Sequence, residues 1–188
     1  MASPASTASA ESVGATPALR RLYVIRFVFA VAWAALLLVS GSGLTAGARL
    51  LLFLYPAFDV AAAVVDARSA RAAGPLKGLY ANMAVSVLAA VGVAVAGTSG
   101  VADVLRVWGA WAVVSGLIQL LVGVARRPMG GQWAMILSGG ISVLAGASFI
   151  RSAAQDDPSL TALAGYAAFG GIFFLVSAVR LSRPASRS

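Results

Sequence analysis

The sequence lacks cysteine and histidine altogether. Their absence excludes disulfide bonds, thiolate nucleophiles, imidazole bases and the commonest zinc ligands. Charge is also scarce, since charged residues make up 11% of the chain and Asp and Glu together number only 6. These carboxylates form no spaced acid pair and match no zinc or calcium motif. We therefore predict a protein that is not an enzyme, with no catalytic residues, no cofactor and no metal site.

Apolar side chains dominate what is present, at 60% of the 188 residues, and the mean hydropathy is +0.91. So little polar surface could not cover a soluble globule. The apolar residues form six segments, each close to the ~20 residues that a helix needs to cross ~30 Å of hydrocarbon. They lack the alternation of a membrane barrel. The predicted fold class is therefore an all-α polytopic integral membrane protein. The segments are residues 22–40, 44–65, 77–96, 101–125, 132–150 and 160–181.

Consecutive segments pair into hairpins, which together form one predicted membrane domain over residues 20–183. The hairpins are residues 22–65, 77–125 and 132–181. Residues 1–19 are small and polar, with too few large apolar side chains to offset the entropy cost of ordering. We predict that they form a disordered cytoplasmic tail and that residues 184–188 form a second cytoplasmic tail.

The positions of the basic residues predict the orientation. With the N-terminus placed in the cytoplasm, 11 of the 14 Lys and Arg residues fall on that side, and the 3 exceptions are Arg49, Arg106 and Arg151. The positive-inside rule then places both termini in the cytoplasm. Because the basic residues lie at the ends of apolar segments, the net charge of +8 does not indicate nucleic-acid binding. The predicted partners are the lipid bilayer and a possible second copy of the chain.

The sequence matches itself at an offset of about 56 residues. Arg71, Arg127 and Arg183 coincide at this offset, as do the aromatic residues Tyr55 and Trp111. We interpret the chain as three tandem hairpin repeats of about 56 residues. Each repeat crosses the membrane twice, so the copies enter from the same side and a pseudo-threefold axis along the membrane normal is expected.

The repeat also aligns polar residues within the apolar segments. Asp59 and Ser115 share one repeat position, while Arg26, Asn82 and Ser138 share another. Residues one helical turn away lie on the same helix face, so Gln119 joins the first group, and Ser86 and Ser142 join the second. We predict a polar cluster in the part of the membrane nearest the cytoplasm. Its members are Arg26, Asp59, Asn82, Ser86, Ser115, Gln119, Ser138 and Ser142.

Three interpretations of this cluster are open. A charge inside the membrane costs about 2.5–3.5 kcal/mol on insertion scales, which makes Arg26 and Asp59 candidates for an ion or proton pathway. The two residues would equally serve to neutralise each other and fix how the first two helices meet, with the polar residues as interhelical hydrogen bonds. In a variant of this second, structural interpretation, Arg26 extends to the headgroups and Asp59 pairs with another donor. Ligand binding is the third interpretation.

Two sequence motifs resemble those of a known family. Residues 114–119 read Val-Ser-Gly-Leu-Ile-Gln and precede Arg126-Arg127, and residues 137–146 read Leu-Ser-Gly-Gly-Ile-Ser-Val-Leu-Ala-Gly. Over residues 22–183 the chain resembles the HdeD-like acid-resistance membrane proteins, which are built from a short repeat of unknown function.

In this family an Arg and an Asp are often found in the first hairpin, where Arg26 and Asp59 resemble them. Val60 departs from the pattern, which usually has glycine there. The resemblance implies a multi-pass protein of the bacterial inner membrane, non-enzymatic and connected with acid stress. The alternative is a small proton, ion or solute transporter or channel that uses the cluster around Arg26 and Asp59.

Overall fold

A computed structural model of the chain describes residues 4–41, 43–70, 77–129 and 132–182, with only the backbone described for residues 4–16. The described residues contain helices and turns and no strand, so the predicted all-α fold is confirmed. The predicted tail at 184–188 lies outside the described residues, as do Arg71 and Arg183 of the repeat. The helices are α1 (Pro4–Val39), α2 (Ala46–Ala70), α3 (Lys77–Ala96), α4 (Val101–Ala125), a short 3-10 helix (Arg127–Met129), α5 (Trp133–Ser152) and α6 (Thr161–Ser182).

Helices α3 and α4 begin and end at the predicted residues, and α5 and α6 differ from prediction by one or two residues. The start of α1 differs more. Residues 4–19, predicted to be disordered, continue α1 as a helix. Alanine has the highest helix propensity, and a segment that extends an existing helix avoids the cost of nucleation. The predicted disorder of this part is therefore corrected.

Each of the six long helices contains a stretch long and apolar enough to cross a membrane. Large apolar side chains cover the outside of the bundle, among them Leu88, Leu121 and Leu144, which are 71%, 66% and 73% exposed. A soluble protein rarely exposes so much apolar surface. The chain is a multi-pass membrane protein whose outer surface suits contact with lipid.

The helices pack in cyclic order, each against the next in sequence, and α6 closes the ring against α1. The two closest packings, α4 with α5 and α1 with α6, join helices of different predicted hairpins. The order of packing therefore differs from three self-contained hairpins. The pseudo-threefold relation among the repeats stays a prediction.

Glycines allow the close approach of α4 and α5. Gly109 and Gly116 lie two turns apart on α4, and a Cβ added at either would come within 2.6 or 2.7 Å of a carbonyl oxygen of α5. Gly139 and Gly146 show the reciprocal contacts from α5, at 2.8 and 2.5 Å from carbonyl oxygens of α4. Small residues at an interface let helix backbones approach closely in membranes, where packing drives association.

The two ends of the bundle differ in how they are filled. We term the end where α2, α4 and α6 finish the basic end, and the end with the turns after α1 and α3 the turn end. The buried apolar side chains gather in the half nearer the turn end, with Trp33, Leu52, Leu105, Trp108 and Leu163 at most 2% exposed. The half nearer the basic end is hollow, and it contains the polar residues.

Candidate functional site: a polar cavity in the basic half

A cavity of about 770 Å³ occupies the basic half of the bundle. Side chains from all six long helices line it, from Trp111 and Tyr166 in the middle of the bundle to Arg126 and Arg180 at the ends of α4 and α6. Protein sites for small molecules typically measure ~300–1,000 Å³. The cavity is therefore large enough for a small ligand and extends to the basic end.

Asp59 on α2 is the centre of a hydrogen-bond network on the cavity wall. Its Oδ2 accepts hydrogen bonds from Asn82 Nδ2 at 3.1 Å and Ser86 Oγ at 2.8 Å, both on α3. Its Oδ1 lies 3.4 Å from a terminal nitrogen of Arg26 on α1. Three donors from two neighbouring helices thus surround one carboxylate, which connects α1, α2 and α3 in the part of the membrane where polar groups need partners most.

Arg26 pairs with Asp59 and does not extend outwards, since its side chain is only 13% exposed. The ring of Phe174 on α6 lies 4.9 Å from the guanidinium carbon, close enough for a cation–π contact. The Nε of Arg26 is buried and has no hydrogen-bond partner among the described residues. Arginine carries five N–H donors, so this side chain has more donors than the surrounding protein uses.

Ser86 extends the network toward the turn end. The residue is fully buried, and its Oγ accepts a hydrogen bond from Trp111 Nε1 of α4 at 3.1 Å while donating to Asp59. A chain of hydrogen bonds therefore runs from the indole of α4 through α3 to the carboxylate of α2. The hydrogen bonds in such a chain polarise one another and fix the side chains in single positions.

The remaining members of the predicted cluster lie on other parts of the same cavity. Ser115, Gln119, Ser138 and Ser142 all line it, on α4 and α5. Ser142 Oγ accepts a hydrogen bond from the hydroxyl of Tyr166 at 2.9 Å, and Ser115 Oγ is buried without a partner among the described residues. The structure thus brings all eight predicted residues to one cavity and its wall, but divides them into a connected group around Asp59 and a separate group on α4 and α5.

Aromatic side chains close the cavity toward the turn end. The rings of Trp33 and Trp108 stack with centroids 5.3 Å apart, and Tyr55 packs against Trp33 at 4.7 Å. Trp111 completes the group, at 5.4 Å from Trp108. Trp33 Nε1 also donates to the carbonyl of Leu51 at 2.6 Å, which fixes it against α2. We term these four rings the aromatic floor, because they separate the cavity from the packed half.

Three contributors to the site were missed by the sequence prediction of the cluster, namely Trp111, Tyr166 and Phe174. The tryptophans differ in where they lie. Trp108 is fully buried, whereas Trp133 is 64% exposed. One signal for the aromatic floor was present, because Tyr55 and Trp111 share a repeat position. Nothing in the sequence singles out Tyr166 or Phe174.

Comparison with known proteins adds no family or relative. No protein family model, curated protein or solved structure matches the chain. The fold and the cavity themselves define the class of protein, a multi-pass membrane protein whose six spanning helices enclose a polar cavity in one half of the bundle.

Proposed function

We propose that this protein is a non-enzymatic membrane protein that binds a small amphipathic molecule in the cavity of its basic half. One observation carries the proposal. The six helices enclose about 770 Å³ in the half of the bundle that holds the polar cluster around Asp59, and seven of the eight predicted cluster residues line this space. A cavity kept only by loose packing would be expected to be apolar, because empty cavities in proteins are lined by apolar groups.

The lining suits an amphipathic molecule because it has both kinds of surface. Phe29, Phe58 and Phe173 present apolar rings, while Asn82 and Gln119 present amides. Binding sites for small molecules combine mostly apolar walls with a few polar groups that fix orientation. A purely polar solute would leave the rings in contact with water, and a purely apolar one would take polar lining groups out of water without offering them hydrogen bonds.

The alternative function, a transporter or channel, needs a route from the cavity to the turn end. The aromatic floor and the packed half beyond it block such a route in this conformation. Leu105 and Trp108, both fully buried, lie beyond the cavity on α4. The geometry therefore supports binding more strongly than passage.

The biological context in the proposal comes from the sequence. The motifs at residues 114–119 and 137–146 support membership of the HdeD-like family and a role in acid stress. The same resemblance supports a bacterial inner membrane. The distribution of Lys and Arg supports both termini in the cytoplasm, so the cavity would open toward the cytoplasm.

Cysteine labelling tests whether the cavity is open and on which side. The chain has no cysteine, so Ser138→Cys introduces a single thiol at the cavity wall, at a half-buried position. A membrane-impermeant methanethiosulfonate should label it in inside-out vesicles and leave it unlabelled in right-side-out ones. Val104→Cys is the control, because Val104 is fully buried in the packed half and should stay unlabelled in both.

Binding is tested on the same variant by protection. Decanoate and decanol are the probes, and saturation of the cavity by either should slow the labelling of Ser138→Cys. An unreactive thiol, or a reactive one whose labelling neither probe slows, would overturn the binding proposal. For the stress role, deletion of the protein should lower survival at acid pH, and Ser115→Leu should fail to restore it. Unchanged survival of the deletion strain would refute that role.

A further inference from the structure

We propose that the cavity takes a single-chain amphiphile with an anionic head, and that this molecule enters sideways from the bilayer between α5 and α6. The inference rests on the proposed binding function and adds the charge of the ligand and its route. Three features of the structure point to it, namely the looseness of one helix pair, the thinness of the wall there and the surplus of hydrogen-bond donors around Arg26.

Helices α5 and α6 pack most loosely of the adjacent pairs in the ring. Gly165 and Gly170 on α6 have no heavy atom within 4 Å of where a Cβ would lie. On the α4–α5 side of the ring, in contrast, a Cβ at Gly116 or Gly146 would meet backbone atoms within 3.0 Å. Gly165 and Gly170 therefore do not serve close packing, unlike Gly171, which packs against α1. Gly170 also lines the cavity, so it leaves open space on the cavity side of α6.

The wall of the cavity at this cleft is one side chain thick. Phe169 lines the cavity and is also 46% exposed on the outside of the bundle. Its ring meets that of Phe173, another lining residue, edge to face at 5.5 Å. Exposed rings change rotamer on the picosecond-to-nanosecond timescale, so movement of Phe169 is enough to open a passage for an alkyl chain.

The charges around the cavity favour an anionic head. Three arginines line it, Arg26, Arg126 and Arg180, against two aspartates, Asp59 and Asp66. The oxygens of Asp59 already receive three hydrogen bonds, whereas the buried Nε of Arg26 has no partner in the part of the chain that the structure describes. A carboxylate or phosphate oxygen supplies the acceptor that this site lacks, and guanidinium groups match such oxyanions in geometry.

The depth of Arg26 fits this arrangement. It lies nine residues inside the start of the spanning stretch of α1, which is about 13 Å along the helix. A head that reaches Arg26 through the cavity leaves its alkyl chain level with the cleft. The chain then lies among Phe169, Phe173 and the lipid outside, and only the head needs the polar cavity.

Tryptophan quenching tests the charge of the head. Trp133→Phe removes the tryptophan that faces lipid, and of the three that remain only Trp111 lines the cavity. The protein is reconstituted in phosphatidylcholine vesicles with 2-bromohexadecanoate, whose bromine lies beside the head. We expect saturable quenching, with at least tenfold weaker apparent affinity for 2-bromohexadecan-1-ol. The double variant Arg26→Gln/Asp59→Asn removes both members of the ion pair together. It should lose at least tenfold of the affinity for the acid and bind the alcohol as before.

A matched pair of glycine variants tests the route. Gly170 lines the cavity next to Phe169, so Gly170→Leu places a side chain at the inner end of the proposed route, whereas Gly140→Leu places one on an open outer groove of α4 and α5. In stopped-flow mixing, Gly170→Leu should slow the onset of quenching at least tenfold while Gly140→Leu matches the parent. Equal rates for the two variants would overturn access through the cleft.

The outcomes separate this inference from the function on which it rests. Saturable quenching of equal affinity by the acid and the alcohol would overturn the anionic head and leave amphiphile binding in place. Quenching that rises linearly with both, without saturation, would contradict binding itself. Retention of acid binding by the double variant would overturn the role of Arg26.

Discussion

Removal of the Asp59 carboxylate is the most informative perturbation of the site. Asp59→Ala deletes the acceptor for Arg26, Asn82 and Ser86 and leaves the Arg26 guanidinium, only 13% exposed, without an opposite charge. Breaking a buried ion pair by removing one partner typically costs about 3–5 kcal/mol. Because Asp59 is 22% exposed toward the cavity, we expect the lower end, about 3 kcal/mol of the free energy of unfolding.

The assay is reversible unfolding in mixed micelles, in which SDS is added to the protein in a mild detergent and tryptophan fluorescence reports folding. Arg26→Met alone should also be destabilising, because it leaves Asp59 without its cation. The double variant Arg26→Met/Asp59→Ala should recover at least about 1 kcal/mol relative to the sum of the single changes, since neither charge is then uncompensated. Strict additivity would refute the conclusion that the two residues act as a pair.

Three further predictions concern packing and hydrogen bonds, each measured by the same unfolding titration. Gly139→Ala should destabilise the protein by about 1–3 kcal/mol, because its Cβ would lie 2.7 Å from Leu120 N, whereas the neighbouring Gly140→Ala meets open space and should be neutral or stabilising. Ser86→Ala should cost about 1–3 kcal/mol by removing a partner of both Asp59 and Trp111, while Ser115→Ala, whose hydroxyl has no partner among the described residues, should stay within about 0.5 kcal/mol. Trp111→Phe should cost about 1 kcal/mol for the lost bond to Ser86, with a larger loss pointing to its packing in the aromatic floor. The assigned contacts would be contradicted if Gly140→Ala destabilised the protein more than Gly139→Ala. They would also be contradicted if Ser115→Ala destabilised it more than Ser86→Ala.

The sequence predicted the spanning helices well because the signal that defines them is local. A helix inside a membrane satisfies its own backbone hydrogen bonds, so the length of an apolar segment nearly fixes its extent. The bounds of α3 and α4 follow directly. The predicted disorder of residues 4–19 was wrong, since composition argued against a packed core but not against continuation of a helix that starts at the membrane.

The candidate site was predicted less completely. The repeat alignment found polar positions that reach the cavity, among them Asp59 and Ser115. It did not show that Asn82 and Ser86 would bond to Asp59 while Ser115 would be left without a partner. Hydrogen bonds have a range of about 3 Å, so their pattern depends on how α2 meets α3, which no periodicity encodes.

The sequence by itself determined the class of protein. Its apolar segments could be satisfied only as spanning helices, and its few polar side chains could lie only inside the bundle. The tertiary structure alone decided where the bundle is hollow. The glycines of α4 and α5 allow one tight contact, Gly165 and Gly170 of α6 meet open space, and the aromatic floor ends the cavity midway. These features depend on which faces of different helices meet, because a glycine closes an interface only when another backbone lies opposite.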